Sequence, residues 1–215
     1  MPHYNVTQDA QGWTHFDWTI DGITADMIDW HWSNMDKTFI LWHPTSHIRF
    51  DWIIPTTKDR FIGAVHRAPQ LRRGGKPANP NTPGLLFDNP MTLPSEIVDQ
   101  TIYDHACFVN RVNLDESWHI CSAPSNVYRL HQWKQTDRGV VGRLSAINCN
   151  VTDMAEELEK GEIWVEHAVE EIENYSCFLA EIYKLWSVVR GRPDVHFTHS
   201  LKLVRTMSGI KYEWQ

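Results

Sequence analysis

"TDMAEELEKGEIWVEHAVEEIENYSCFLAEIYKLWSVVRG", residues 152–191, is the stretch on which the fold turns. Ala168, Ile172, Tyr175, Leu179, Ile182, Trp186 and Val189 recur at steps of four and three, the period of one helix face. Acids crowd the early turns, where the helix dipole favours them. Gly191 and Pro193 supply a stop. One long C-terminal helix is therefore expected, with a single apolar stripe that must be buried against a broad partner.

The preceding segment offers that partner. "HACFVNRVNL" (105–114), "SWHICSA" (117–123), "NVYRLHQW" (126–133) and "GVVGRLSAI" (139–147) read as strands, with "TDRG" (136–139) as a hairpin turn between the last two. This is an antiparallel meander. Nearer the N-terminus, "GWTHFDWTI" (12–20) alternates as a strand, and "DGITADMIDWHWSN" (21–34) carries a short helix that Thr24 can cap. "DKTFILWH" (36–43) and "IRFDWII" (48–54) read as strands broken at Pro44. Residues 72–84, "RRGGKPANPNTPG", have the composition of a loop. The economical architecture is α+β: a strongly curved antiparallel sheet wrapped around the long helix, enclosing a cavity. A length of 215 residues fits one domain spanning 1–215.

Composition narrows the function. Eleven tryptophans are many for this length and predict an aromatic-lined interior. A formal charge of −7 argues against a nucleic-acid partner. No apolar run approaches about 18 residues, so no membrane partner is expected, and the N-terminal "MPHYNVTQDAQGW" lacks the features of a secretory signal. A cytoplasmic protein, with room for a homodimer, is the resulting expectation. Cys107, Cys121, Cys149 and Cys177 form no C-x-x-C pair, so reduced thiols are expected. Nucleophile-elbow, dinucleotide-binding and phosphate-loop motifs are absent.

Two histidine-bearing segments carry the chemistry. On the long helix, His167 and Glu171 stand four apart and project from one face, beside the apolar stripe. In "ILWHPTSHIRF" (40–50), His43 and His47 flank a proline that favours a turn. Two histidines and a carboxylate with a position left for water make a catalytic zinc set, if the segments meet.

"MIDWHWSNMDKTFILWHPTSH" (27–47), followed by "HAVEEIENYSCFLAEIY" (167–183), resembles the 2,4-diacetylphloroglucinol hydrolase and phloretin hydrolase family. Those are zinc-dependent enzymes of the helix-grip type, similar to the START and Bet v 1 folds, that cleave a carbon–carbon bond between an acyl group and a phenolic ring. The resemblance implies Zn2+ held by His47, His167 and Glu171, with His43 supporting the turn. The family's further glutamate ligand has no counterpart, because "RFIGAVHRAPQLRRGGKP" (60–77) contains no acid. His66 or Gln70 in its place, or a site of three protein ligands, are the alternatives, with His66 preferred. The family's proton-donating sheet histidine falls at His119 or His131, with His105 a weaker third. Its ring-contacting tyrosine and asparagine fall at Phe39 and Phe50, which with Trp42 and His43 are the expected substrate contacts.

The resemblance thus implies a metal-dependent hydrolase that cleaves a carbon–carbon bond next to a carbonyl, acting on a small aromatic or polyketide-like compound. The loss of polar groups at Phe39 and Phe50 leaves two alternatives: a non-hydrolytic cyclase, isomerase or pericyclase working on a lipophilic intermediate, and a small-molecule carrier.

Overall fold

The alternation of the central segments becomes a continuous ladder. The computed structural model describes residues 3–71, 83–148 and 161–213. Eight antiparallel strands run in chain order as β1 (His3–Gln8), β2 (Thr14–Asp21), β3 (Asp51–Ile54), β4 (Val65–Arg67), β5 (Gly84–Phe87), β6 (His105–Val112), β7 (Tyr128–Gln135) and β8 (Gly139–Ile147). They lie side by side in the order β1-β2-β8-β7-β6-β5-β4-β3. The expected meander is β6–β7–β8, and the turn at Thr136–Gly139 is closed by Thr136 N–H donating to the Gly139 carbonyl at 2.7 Å.

A long helix fills the curve of this sheet. Among the described residues the helices are α1 (Ala25–Ser33), α2 (Met35–Trp42), α3 (Ser95–Val98) and α4 (Gly161–Ser187). Helix α4 packs on β2, α1 and α2 through Ala168, Ile172, Tyr175 and Leu179, all of them buried. The chain is thus an α+β protein of the helix-grip type. The start of the expected helix, residues 152–160, and the Gly/Pro-rich segment 72–82 lie outside the described residues. A small hairpin, β9 (Leu203–Thr206) and β10 (Gly209–Tyr212), bridges to the start of β6 through His105 and Lys202.

Three sequence readings are corrected. "DKTFILWH" is helix α2, not a strand. Met35, Thr38, Phe39 and Trp42 are its buried residues, and their spacing of three, one and three is a helical face that a short apolar run conceals. "SWHICSA" is a turn: Asp115 accepts from the Ser117 and His119 amides at 2.8 Å each, and one isolated bridge joins Leu114 to Ile120. In "IRFDWII" the strand begins only at Asp51.

Thr24 caps α1 as expected, its hydroxyl accepting from Met27 N–H at 3.3 Å. Asp29, on the same helix, ties several elements together. Its carboxylate accepts from His105 Nδ1 on β6 (2.9 Å), Trp133 Nε1 on β7 (3.1 Å) and the Leu201 amide (3.0 Å). Burial raises the Asp29 carboxyl, while the bonds from His105 and Leu201 oppose that rise. The weaker catalytic candidate His105 is thereby engaged in holding the fold.

The aromatic interior expected from the tryptophan count is present. Phe16, Trp18, Trp30, Trp32, Trp42, Phe87 and Trp133 are buried in one cluster, with Phe50 and Trp52 packed against it while partly exposed. Among the described cysteines, Cys107 is buried and Cys121 and Cys177 are exposed; all three are free thiols. Among the described residues, no helix is long and apolar enough to cross a membrane.

Candidate metal centre

The end of α2 prepares the first ligand position. The helix stops at Trp42 because Pro44 cannot continue it, and the chain turns back so that His47 N–H donates to the His43 carbonyl at 2.8 Å. A helix C-terminus leaves carbonyls without intrahelical partners. One of these, Phe39 O, lies 2.6 Å from His47 Nδ1, and the two rings stack at 3.7 Å with 2° between their planes. A carbonyl can only accept, so Nδ1 carries the proton of this bond and Nε2 is the nitrogen that faces His167 and Glu171, available to a metal. Metal-binding histidines are oriented by this kind of bond.

Helix α4 brings the other two. His47 Nε2 lies 3.3 Å from His167 Nε2 and 3.3 Å from Glu171 Oε1, and His167 Nε2 lies 3.2 Å from Glu171 Oε1. The three side chains are largely buried. Zinc bonds of about 2.0–2.1 Å in tetrahedral geometry separate neighbouring donor atoms by roughly 3.3 Å. The triangle has that edge length on all three sides, so the donor set fits a divalent ion such as zinc and could bind one. Burial alone would raise the Glu171 carboxyl, but His167 and His47 beside it outweigh that and hold it well below the usual carboxylate range.

A second layer braces the triangle. His43 stacks on His167 at 4.0 Å, with its Nδ1 3.2 Å from both Thr45 Oγ1 and Glu170 Oε1. Thr45 donates to Glu170 at 2.7 Å. His43 therefore lies against the His167 ring, in a place to support it. Neither Thr45 nor Glu170 stands out in the sequence, where a glutamate beside another on a helix reads as a solvated charge.

His66 is not brought to the triangle. It lies on β4, stacked on Phe50 at 4.8 Å and edge-on to Trp52 at 5.9 Å. Its side chain belongs to the aromatic wall, because strand pairing of His66 with Trp52 fixes which face it takes. Gln70 pairs with His47 through its backbone. His119 is also displaced from its expected role: it lies on the exposed 113–120 turn, 80% accessible, beside Asp115.

His131 does enter the interior, 4.5 Å from Trp32 and 6.4 Å from Trp42, ring centre to ring centre. Trp42 in turn lies 5.7 Å from His47 and stacks on Tyr175 at 5.6 Å. Sequence reasoning passed over His31 on α1, which is fully buried against Trp42 (4.7 Å) and Tyr175 (5.1 Å). The only signal for it was its place between two tryptophans in "DWHWSN". Burial pulls His31, His66 and His131 down to about 3, with the Glu171 charge opposing at His31 and His131. All three are neutral imidazoles at pH 7.

No family model and no curated protein matches this chain. Solved structures do. Protein Ms6760 from Mycobacterium smegmatis is 12% identical with a TM-score of 0.55, over 83% of this chain and 98% of its own. A protein from Arthrobacter aurescens, solved in solution by NMR, is 13% identical with a TM-score of 0.51, over 82% and 91%. The di-domain ARO/CYC StfQ from the steffimycin biosynthetic pathway is 12% identical over 80% of this chain and 52% of its own, with a TM-score of 0.42. The first two likenesses are of fold and do not bear on chemistry. The hydrolase resemblance is not joined by any matching family model or curated protein.

Proposed function

We propose that this protein is a metal-dependent enzyme acting on a lipophilic, enolisable carbonyl compound of the polyketide type, and that it rearranges or cyclises the compound without adding water. The observation that carries this reading is the triangle of donor atoms, with the His47 ring fixed by its Nδ1 bond to the Phe39 carbonyl, set beside an aromatic interior whose histidines are neutral. A divalent metal held by His47, His167 and Glu171 would supply Lewis acidity toward a carbonyl oxygen.

The chain's own residues supply the rest. His131, a neutral imidazole in the aromatic interior, is placed to carry a proton from the carbon next to a carbonyl to another atom of the same molecule; with a pKa of about 3 it is a weak base, so the transfer would depend on a bound metal polarising that carbonyl. Such a proton transfer leaves the mass of the compound unchanged. Phe39 and Phe50, standing where the hydrolase resemblance has polar ring contacts, favour rearrangement of a lipophilic compound over hydrolysis of a hydroxylated ring. Phe39, Phe50, Trp42 and Trp52 offer flat apolar surfaces that orient an unsaturated ligand and exclude water.

Carbon–carbon hydrolysis is the second reading. It is favoured by one observation, that the three ligand positions implied by the hydrolase resemblance do meet in space. Elemental mass spectrometry on protein purified without a metal-affinity tag, followed by product mass analysis with acylphenols and 1,3-diketones, tests both. Near-stoichiometric metal, lost in folded His167→Ala and Glu171→Ala variants, and a product of unchanged mass support rearrangement. A product heavier by the elements of water, or split into acid and arene, supports hydrolysis. Absence of metal after zinc is supplied removes both and leaves a carrier.

A further inference from the structure

Three buried nitrogens without a hydrogen-bond partner among the described residues belong to two touching rings: Nδ1 and Nε2 of His31 and Nε1 of Trp42. His31 is 0% exposed and Trp42 4%. Buried polar atoms are nearly always paired, because an unmade bond leaves the desolvation cost standing. Leucine or phenylalanine would fill either place without that cost. The two rings are also placed beside the metal centre, Trp42 in ring contact with His47 and His31 within reach of the Glu171 charge.

We propose that His31 and Trp42 form a polar subsite beside the metal triangle that binds an enol or phenol hydroxyl, or the matching keto oxygen, of the ligand. The donor inventory fits that group. An indole N–H only donates, whereas a neutral imidazole has one N–H and one bare nitrogen. A hydroxyl oxygen accepts from Trp42 while its proton goes to the bare nitrogen of His31; a keto oxygen accepts from both N–H groups. Both tautomers of an enolisable carbonyl are accommodated by the same two rings, and a hydrocarbon at that point leaves both of them unpaired. This subsite deepens the function proposed above, resting on it only for placing the ligand in this interior.

The test uses two probes of similar shape, 1-naphthol and 1-methylnaphthalene, titrated into the full chain and followed by quenching of tryptophan fluorescence. The expected result is roughly tenfold tighter binding of the naphthol, the worth of one hydrogen bond made in a dry site. In His31→Leu that preference falls to less than about twofold, methylnaphthalene affinity is retained, and the ligand-free variant unfolds at the same or a higher temperature because an unpaired group has gone. Trp42→Phe serves as the second variant should His31→Leu fail to fold, with the same loss of preference expected. Equal affinity for the two probes in the wild type, no binding of either, or a hydroxyl preference that survives in the variants overturns the subsite. Zinc content, measured in the same samples, is read separately. A metal-free protein that still shows the preference and loses it with His31 keeps the subsite and rejects the enzyme reading.

Discussion

At the scale of single residues, the site depends on which nitrogen carries a proton. The Phe39 carbonyl settles that for His47, and the His43–Thr45–Glu170 group braces His167. Removing such outer partners typically costs 10- to 100-fold in metal affinity. Glu170→Gln should therefore weaken zinc binding by roughly tenfold in competition with a chromophoric chelator, and unchanged affinity would deny Glu170 that role. His66→Leu should leave zinc content at the wild-type level, because His66 lies in the Phe50–Trp52 wall; loss of metal in that variant would restore His66 as a ligand. The i,i+4 pair His167 and Glu171 could be read from spacing, since helix geometry alone sets them on one face. His47 needed the meeting of two segments 120 residues apart, and His31 left hardly any trace in the sequence.

At the scale of elements, α1 is pinned by Asp29. Asp29→Ala would leave His105, Trp133 and the Leu201 amide without their acceptor in a buried place. Breaking a buried, hydrogen-bonded pair of this kind costs about 3–5 kcal/mol, so urea unfolding should show a loss of that order, and a loss under about 1 kcal/mol would mean the node is dispensable. On β8, Gly142 lies under the Trp18 indole, where any Cβ would collide with the ring. Gly142→Val is expected to cost about 1–3 kcal/mol by overpacking, visible as a lowered melting temperature. Long periodic elements were legible: β2, β6, β7, β8 and the α4 stripe follow from alternation or from steps of three and four. Helix α2 was not, because eight mostly apolar residues satisfy both periods and only packing against α4 chooses between them.

At the scale of the molecule, the buried histidines couple folding to pH. His31, His66 and His131 have folded-state pKa values of about 3, below the ordinary 6.5. Between those values the unfolded chain binds more protons than the folded one, so stability is complete above about pH 6.5 and falls as the pH drops toward 3. Three such groups give a slope of up to about 4 kcal/mol per pH unit, at about 1.4 kcal/mol each. Urea unfolding at pH 7.5, 6.0 and 5.0 in chelator should show this decline, and a smaller one in His66→Leu, while His43 and His196, lowered to about 4, still contribute in the same direction. A flat profile over that range would mean that these imidazoles reach solvent or a partner.

The sequence by itself determined the long amphipathic helix, the central antiparallel meander, the aromatic interior and the local pairing of His167 with Glu171. Each rests on a period or a composition that neighbouring residues carry among themselves. Tertiary structure alone decided that α2 is a helix, that His119 lies on an exposed turn, that His66 joins the wall and that His47 meets α4. These depend on contacts between segments far apart in the chain. A one-dimensional pattern fixes which residues share a face; which faces meet is decided by how the whole sheet closes on its helix.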